Sequence, residues 1–188
     1  MICKKKIDQR AVFLSWVLLF ICLSEISAQD SGLEKSITGI NIGLTGFLSY
    51  EKRLTPTISS RVEVGLLYNR IESENLWLPY FVLQPRWYYN LNKRLEKSKN
   101  IRGNSGNYIS ALVLYTPETS SIFGNSSLIK AASFFVGPVW GLRRQLGTRF
   151  SFEFLAGLGL ERTFYPTPEN EIIGILNFNF GYNFIRRR

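Results

Sequence analysis

Apolar and polar residues alternate with period two along most of this chain, and that period marks strands rather than helices. In the segment 149–162, Phe150, Phe152, Phe154, Ala156, Leu158 and Leu160 fall on one side of an extended chain. Ser151, Glu153, Leu155, Gly157, Gly159 and Glu161 fall on the other. The same pattern recurs over 38–51, 58–69, 76–91, 108–116, 129–143 and 174–184, so seven strands are predicted. Pro56 sits in the turn after the first, where its missing N–H costs no ladder bond. Single-chain bacterial barrels use even strand numbers. We therefore expect eight, and Asp30–Ser36 is the best source of the missing extended chain, although Gly32 and Lys35 suit a strand poorly.

Alternation does not say which face is inside. The apolar face is heavy in Phe, Trp and Tyr, whereas the other is rich in Gly and Asn with isolated charges. Aromatic residues gather toward many strand ends, including Tyr50, Tyr68, Trp77, Tyr89, Trp140, Tyr182 and Phe184. Most of these strands exceed the ~9–11 residues that cross a bilayer, and interfacial aromatic girdles are a barrel signature. The pattern favours an all-β fold, an antiparallel up-and-down transmembrane β-barrel with its greasy face outward. A periplasmic barrel that buries this face around an apolar ligand is the alternative.

The first residues read as a targeting segment. Lys4, Lys5, Lys6 and Arg10 precede an apolar run from Ala11 to Leu23, and Ile26-Ser27-Ala28-Gln29-Asp30 offers a small-residue cleavage site. That run suits a signal peptide and is too short for a spanning helix. Residues 1–29 are thus expected to be a leader and 30–188 a single barrel domain. Acylation of Cys22 would need small residues before it, and Leu19-Phe20-Ile21 are not small.

Several residues resemble the small outer-membrane β-barrel proteins of Gram-negative bacteria, over roughly 37–184. They are Gln84-Pro85-Arg86-Trp87-Tyr88-Tyr89-Asn90-Leu91-Asn92-Lys93-Arg94, Ser105-Gly106-Asn107-Tyr108, Gly137-Pro138-Val139-Trp140-Gly141-Leu142-Arg143-Arg144 and Phe180-Gly181-Tyr182-Asn183-Phe184. The resemblance implies an outer-membrane location in contact with lipid. In that family the aromatic terminus is usually the last residue, whereas here Ile185-Arg186-Arg187-Arg188 follow it.

With the apolar face outward, Glu51, Arg61, Glu63, Arg86, Arg143, Glu153 and Glu161 point into the lumen. Buried charges must pair or cost several kcal/mol each. Glu51 and Arg61 lie equally far from Pro56 and are expected to sit opposite one another. Arg143 and Glu153 flank the Gln145–Thr148 turn, and Glu63 is a partner for Arg86. The lumen of an eight-stranded barrel holds only side chains or one small ligand, so these pairs are expected to plug it. A gated narrow pore is the lesser alternative.

The formal net charge is +9, from 23 Lys and Arg against 14 Asp and Glu. A secretory leader argues against nucleic acid, and anionic lipid or envelope phosphate is the better partner. Antiparallel order gathers Lys93, Arg94, Lys97 and Lys99 at one rim, in the longest connection, which is predicted to carry a short helical turn. The opposite rim carries Glu72, Glu74, Glu118, Glu169 and Glu171. The basic rim is a candidate contact for an anionic envelope surface.

The chain has no histidine, and both of its cysteines, Cys3 and Cys22, lie in the leader. Ser-His-Asp chemistry and His or Cys zinc sites are therefore excluded from the barrel domain. Glu153 and Glu161 share a strand face but lie roughly 27 Å apart at ~3.4 Å per residue, too far for a glycosidase pair. Glu169, Asn170 and Glu171 lack a fuller calcium pattern. No metal or cofactor is expected, and no phosphate-binding glycine loop is present. We expect a non-catalytic barrel with a structural or binding role in the cell envelope.

Overall fold

The computed structural model describes residues 32–43, 45–71, 74–120, 122, 129–164 and 168–184. Its strands are β1 (Ser36–Gly43), β2 (Thr45–Arg53), β3 (Ile58–Ile71), β4 (Glu74–Trp87), β5 (Gly106–Thr116), β6 (Thr119–Ser120), β7 (Ile129–Lys130), β8 (Ser133–Leu146), β9 (Phe150–Thr163) and β10 (Glu169–Asn183). Eight of them close an antiparallel barrel in the order β1-β10-β9-β8-β5-β4-β3-β2. The remaining two, β6 and β7, pair as a separate ribbon within the β5–β8 connection. The expected all-β, up-and-down barrel of eight strands is the fold observed.

The eighth strand does not come from Asp30–Ser36, of which only Ser36 lies in a strand. It comes from splitting the first expected strand, 38–51, into β1 and β2. Their rungs, such as Ile42 opposite Gly46 and Asn41 opposite Phe47, join residues of the same parity. The alternation of faces therefore continues straight from β1 into β2, and a period-two pattern cannot register the reversal. Other expected bounds also move, the last strand starting at Glu169 rather than at Gly174. Residues 129–143 divide between β7 and β8, and the chain leaves the sheet at Trp87 rather than at Leu91.

The outward face is apolar. Ile42, Leu48, Val64, Phe81, Trp87, Trp140, Phe150, Leu158, Leu176 and Phe180 are all exposed. Their sequence neighbours Asn41, Ser49, Glu51, Arg61, Arg86, Arg143, Ser151 and Glu153 are buried in the lumen. Aromatic rings gather near both ends of this outer face. Trp87 and Tyr89 stack at one end, as do Phe150 and Tyr182, while Tyr68 and Trp77 stack at the other, 5.2 Å apart.

The lumen is layered. Toward one end lie the charges. Toward the other, Phe47, Tyr80, Val82, Leu112, Phe135, Val139 and Leu155 form an apolar cluster, flanked by Leu67, Leu114, Ile173 and Ile175. Sequence alternation assigns these positions inward but gives no hint that they meet one another.

The wall is uneven in height. β1 and β2 have 8 and 9 residues, whereas β3 has 14 and β10 has 15. The β1–β2 hairpin thus stops well short of its neighbours at the end remote from the Pro56 turn.

Candidate functional site: an ionic layer under a folded plug

Seven lumen charges are expected on inward positions; register brings six of them to one level, whereas Glu161, farther along β9, is only half-buried and stands apart from it. Glu51 on β2 lies directly opposite Arg61 on β3, and Arg143 on β8 lies directly opposite Glu153 on β9. All six side chains are buried, with at most 10% exposure at Glu63.

The expected pairs are members of a wider mesh. Glu153 is the hub: Arg61 Nη1 approaches its Oε2 at 3.0 Å and Arg143 Nη1 at 3.3 Å, while Arg86 Nη2 reaches its Oε1 at 2.6 Å. Tyr108 donates its hydroxyl to the same Oε1. Arg86 lies 3.9 Å from Glu63, its expected partner, and is much closer to Glu153. Glu63 instead holds Arg61 Nε at 2.6 Å. Cross-strand alternation exposes only neighbours along the wall, whereas Glu153 reaches Arg61 and Arg86 across the lumen.

Glu51 is a second hub, and most of its hydrogen bonds come from neutral donors. Its Oε1 accepts from Ser59 Oγ at 2.7 Å, Asn104 Nδ2 at 2.8 Å and Tyr88 hydroxyl at 3.0 Å. Arg143 Nη1 approaches Oε2 at 3.4 Å, Arg86 at 3.5 Å and Arg61 at 3.8 Å. Arg86 also stacks over the Tyr108 ring at 4.3 Å. Three arginines balance three glutamates, so the layer is formally neutral. Desolvating six charges costs several kcal/mol per ion, and such a mesh repays it only through dense pairing.

The long connection between β4 and β5 folds over this layer. It contains α1 (Leu91–Glu96) and a 3₁₀ turn (Arg102–Asn104). Gly103 adopts φ +61, and its carbonyl accepts from Arg143 Nε at 3.0 Å. A Cβ at Gly103 would strike Gln145 Oε1, so this close approach requires glycine. Asn104 bridges, accepting from the Glu34 N–H at 2.8 Å while donating to Glu51. Leu33, Tyr88, Leu91 and Tyr108 pack beneath the segment with Ile101. Burial and the adjacent Glu51 carboxylate push the Tyr88 phenol above its ordinary pKa, so it stays a donor. The connection is therefore a plug that closes this end of the lumen, a role with no signal in the sequence beyond the inward phase of Tyr88.

The four basic-rim residues divide by role. Lys93, Lys97 and Lys99 are exposed. Arg94 is half-buried and donates to the Asn100 carbonyl at 2.7 Å, which ties the end of the plug. The structure brings none of them to the ionic layer. The acidic rim is present in Glu118, Glu169 and Glu171, all exposed, whereas Glu72 lies outside the described residues.

Between the ionic layer and the apolar cluster lies a cavity of about 90 Å³. Glu63, Gln84, Arg86 and Glu153 line its polar side, and Tyr80, Leu112, Leu155 and Ile175 its apolar side. Comparison with protein-family models, with curated proteins and with solved structures found no match.

Proposed function

We propose that this chain is an outer-membrane β-barrel, exported by its N-terminal leader, with a non-catalytic structural or binding role in the envelope. The observation that carries this reading is the inversion of the two faces. Large apolar residues cover the outside, with Ile42 at 68% and Leu176 at 66% exposure, while six charges are sealed inside. In water so continuous an apolar exterior marks an interaction surface, and here it encircles the barrel. A water-soluble barrel with an apolar ligand would need the opposite arrangement.

The aromatic positions support the same reading. Trp77 and Trp87 stand ten residues apart on β4 and both are exposed. At ~3.3 Å per residue and a tilt of about 45°, they are separated by ~23 Å along the barrel axis, close to the ~25 Å apolar band of such barrels. In this reading the plugged basic end, with Lys93, Lys97 and Lys99, faces the periplasm and anionic envelope surfaces. The saturated carboxylates of the ionic layer, with no histidine near them, support a role without acid-base chemistry.

Fractionation tests the proposal. The protein is expected in outer-membrane fractions, extractable only with detergent, and faster on a gel when unheated. Release into a detergent-free periplasmic extract would overturn it.

A further inference from the structure

The short β1–β2 hairpin leaves a notch in the barrel wall. The last β1–β10 rung joins Gly43 to Asn179, and the last β2–β3 rung joins Thr45 to Leu67. Beyond these rungs, Glu169–Phe178 of β10 and Tyr68–Ile71 of β3 border a gap. Among the described residues, no strand fills it.

The lumen cavity lies at the foot of this notch. Thr45, Leu67, Ile175, Asn177 and Asn179 belong to both. Among the described residues, three polar atoms on its lining have no hydrogen-bond partner: Gln84 Nε2, Asn177 Oδ1 and Asn179 Oδ1. Gln84 and Asn179 are 1% and 4% exposed, so bulk water does not serve them. A buried donor or acceptor left alone is destabilising, and a ligand that pairs it removes that penalty. One donor and two acceptors, set against an apolar wall with a sideways exit, match a head that both accepts and donates.

We infer that the notch is a lateral portal, through which an uncharged single-chain amphiphile places a hydroxyl head in the cavity. The hydroxyl oxygen accepts from Gln84 Nε2, and the hydroxyl donates to Asn177 Oδ1 or Asn179 Oδ1. The cavity has room for the head and the first methylenes, on the scale of a few water molecules at ~30 Å³ each. The chain then leaves over Leu67 and Ile175 to the outer face. An anionic head is disfavoured, because it would face Glu63 and Glu153 and unbalance three arginines already matched by three glutamates.

This inference rests on the membrane-barrel reading for the source of its ligand, and the test separates the two. The full chain, methyl-labelled at Leu and Ile, is titrated in zwitterionic micelles with 1-hexanol and with hexanoate. Saturable shifts are expected at Leu112, Leu114, Leu155 and Ile175 with hexanol, with hexanoate at least about tenfold weaker. Ile175→Trp should cork the portal and weaken binding about tenfold, whereas Leu158→Trp on the outer face should leave it unchanged. If Ile175→Trp does not fold, Asn177→Leu removes one acceptor and is expected to weaken hexanol by a similar factor.

Unsaturable shifts shared with outer-face methyls, or equal binding of hexanoate, would overturn the inference. So would a dimer that protects the β10 edge amides. Saturable lumen shifts in a chain that needs no detergent would keep the site and sink the membrane reading. A detergent-dependent barrel without them would do the reverse.

Discussion

Arg143 on β8 and Glu153 on β9 stand directly opposite one another, with Arg143 Nη1 3.3 Å from Glu153 Oε2. The same carboxylate also holds Arg61 and Arg86. One side chain thus joins β9 to β8, β3 and β4, and it ties the far walls of the barrel together across the lumen.

Glu153→Gln should therefore destabilise the barrel by about 3–5 kcal/mol, because three buried guanidinium groups lose their common counter-charge. Glu63→Gln, at the edge of the layer, should cost less. Urea unfolding of the refolded protein measures both. Equal, small effects would mean that the layer is not held through Glu153.

Gly141 lies under the Tyr108 ring, and a Cβ there would clash with Tyr108 Cζ. Gly141→Ala must push Tyr108 away from Glu153 and is expected to cost about 1–3 kcal/mol. Gly46→Ala is the control, since its Cβ would meet nothing within 4 Å. Unfolding midpoints should fall for the first variant and hold for the second.

Asn104 pins the plug to Glu51 and to the Glu34 backbone. Asn104→Ala should loosen the segment by about 1–3 kcal/mol. Trypsin, which cuts after Lys and Arg, should then cleave between Lys93 and Arg102 faster than in the native protein. Unchanged cleavage would show that the plug is held elsewhere.

The alternation of apolar and polar positions made the barrel legible, and with it the inward phase of the six charges that form the ionic layer. It also placed Glu51 opposite Arg61, because a hairpin's register follows from its turn. Three things escaped it. The β1–β2 turn preserves parity and so leaves no break in the pattern. The contacts of Glu153 with Arg61 and Arg86 cross the lumen, and strand phase carries no information about depth across a closed sheet. The plug depends on Gly103 and Asn104, in a segment without periodicity, whose fold is set by the lumen it covers.

Lys93, Lys97 and Lys99 are free to meet an anionic surface, while Arg94 is held by Asn100. Changing the three lysines to Gln should weaken binding of the nanodisc-held protein to anionic vesicles by about 100-fold at low salt, at ~1 kcal/mol each. The loss should shrink as salt rises. Vesicle binding that ignores both the substitutions and the salt would remove the basic rim as a contact.

Phe154 belongs to the outer face, where its ring meets Trp140 at 6.3 Å. Phe154→Arg should hinder assembly into a bilayer, since an arginine near the midplane costs ~2–4 kcal/mol. Refolding into vesicles, followed by the unheated gel shift, reads this directly, and normal assembly would place Phe154 away from lipid.

The central claim is that the apolar outer face meets lipid, and Trp87 and Trp140 report on it, at 53% and 39% exposure. The measurement is tryptophan fluorescence of the protein refolded in vesicles of brominated lipid, with Trp16→Phe and Trp77→Phe so that Trp87 and Trp140 alone report. Strong quenching of both, with loss of the Trp140 signal confirmed by Trp140→Phe, is the expected result. Fluorescence unchanged by bromine yet quenched by aqueous acrylamide would contradict the account.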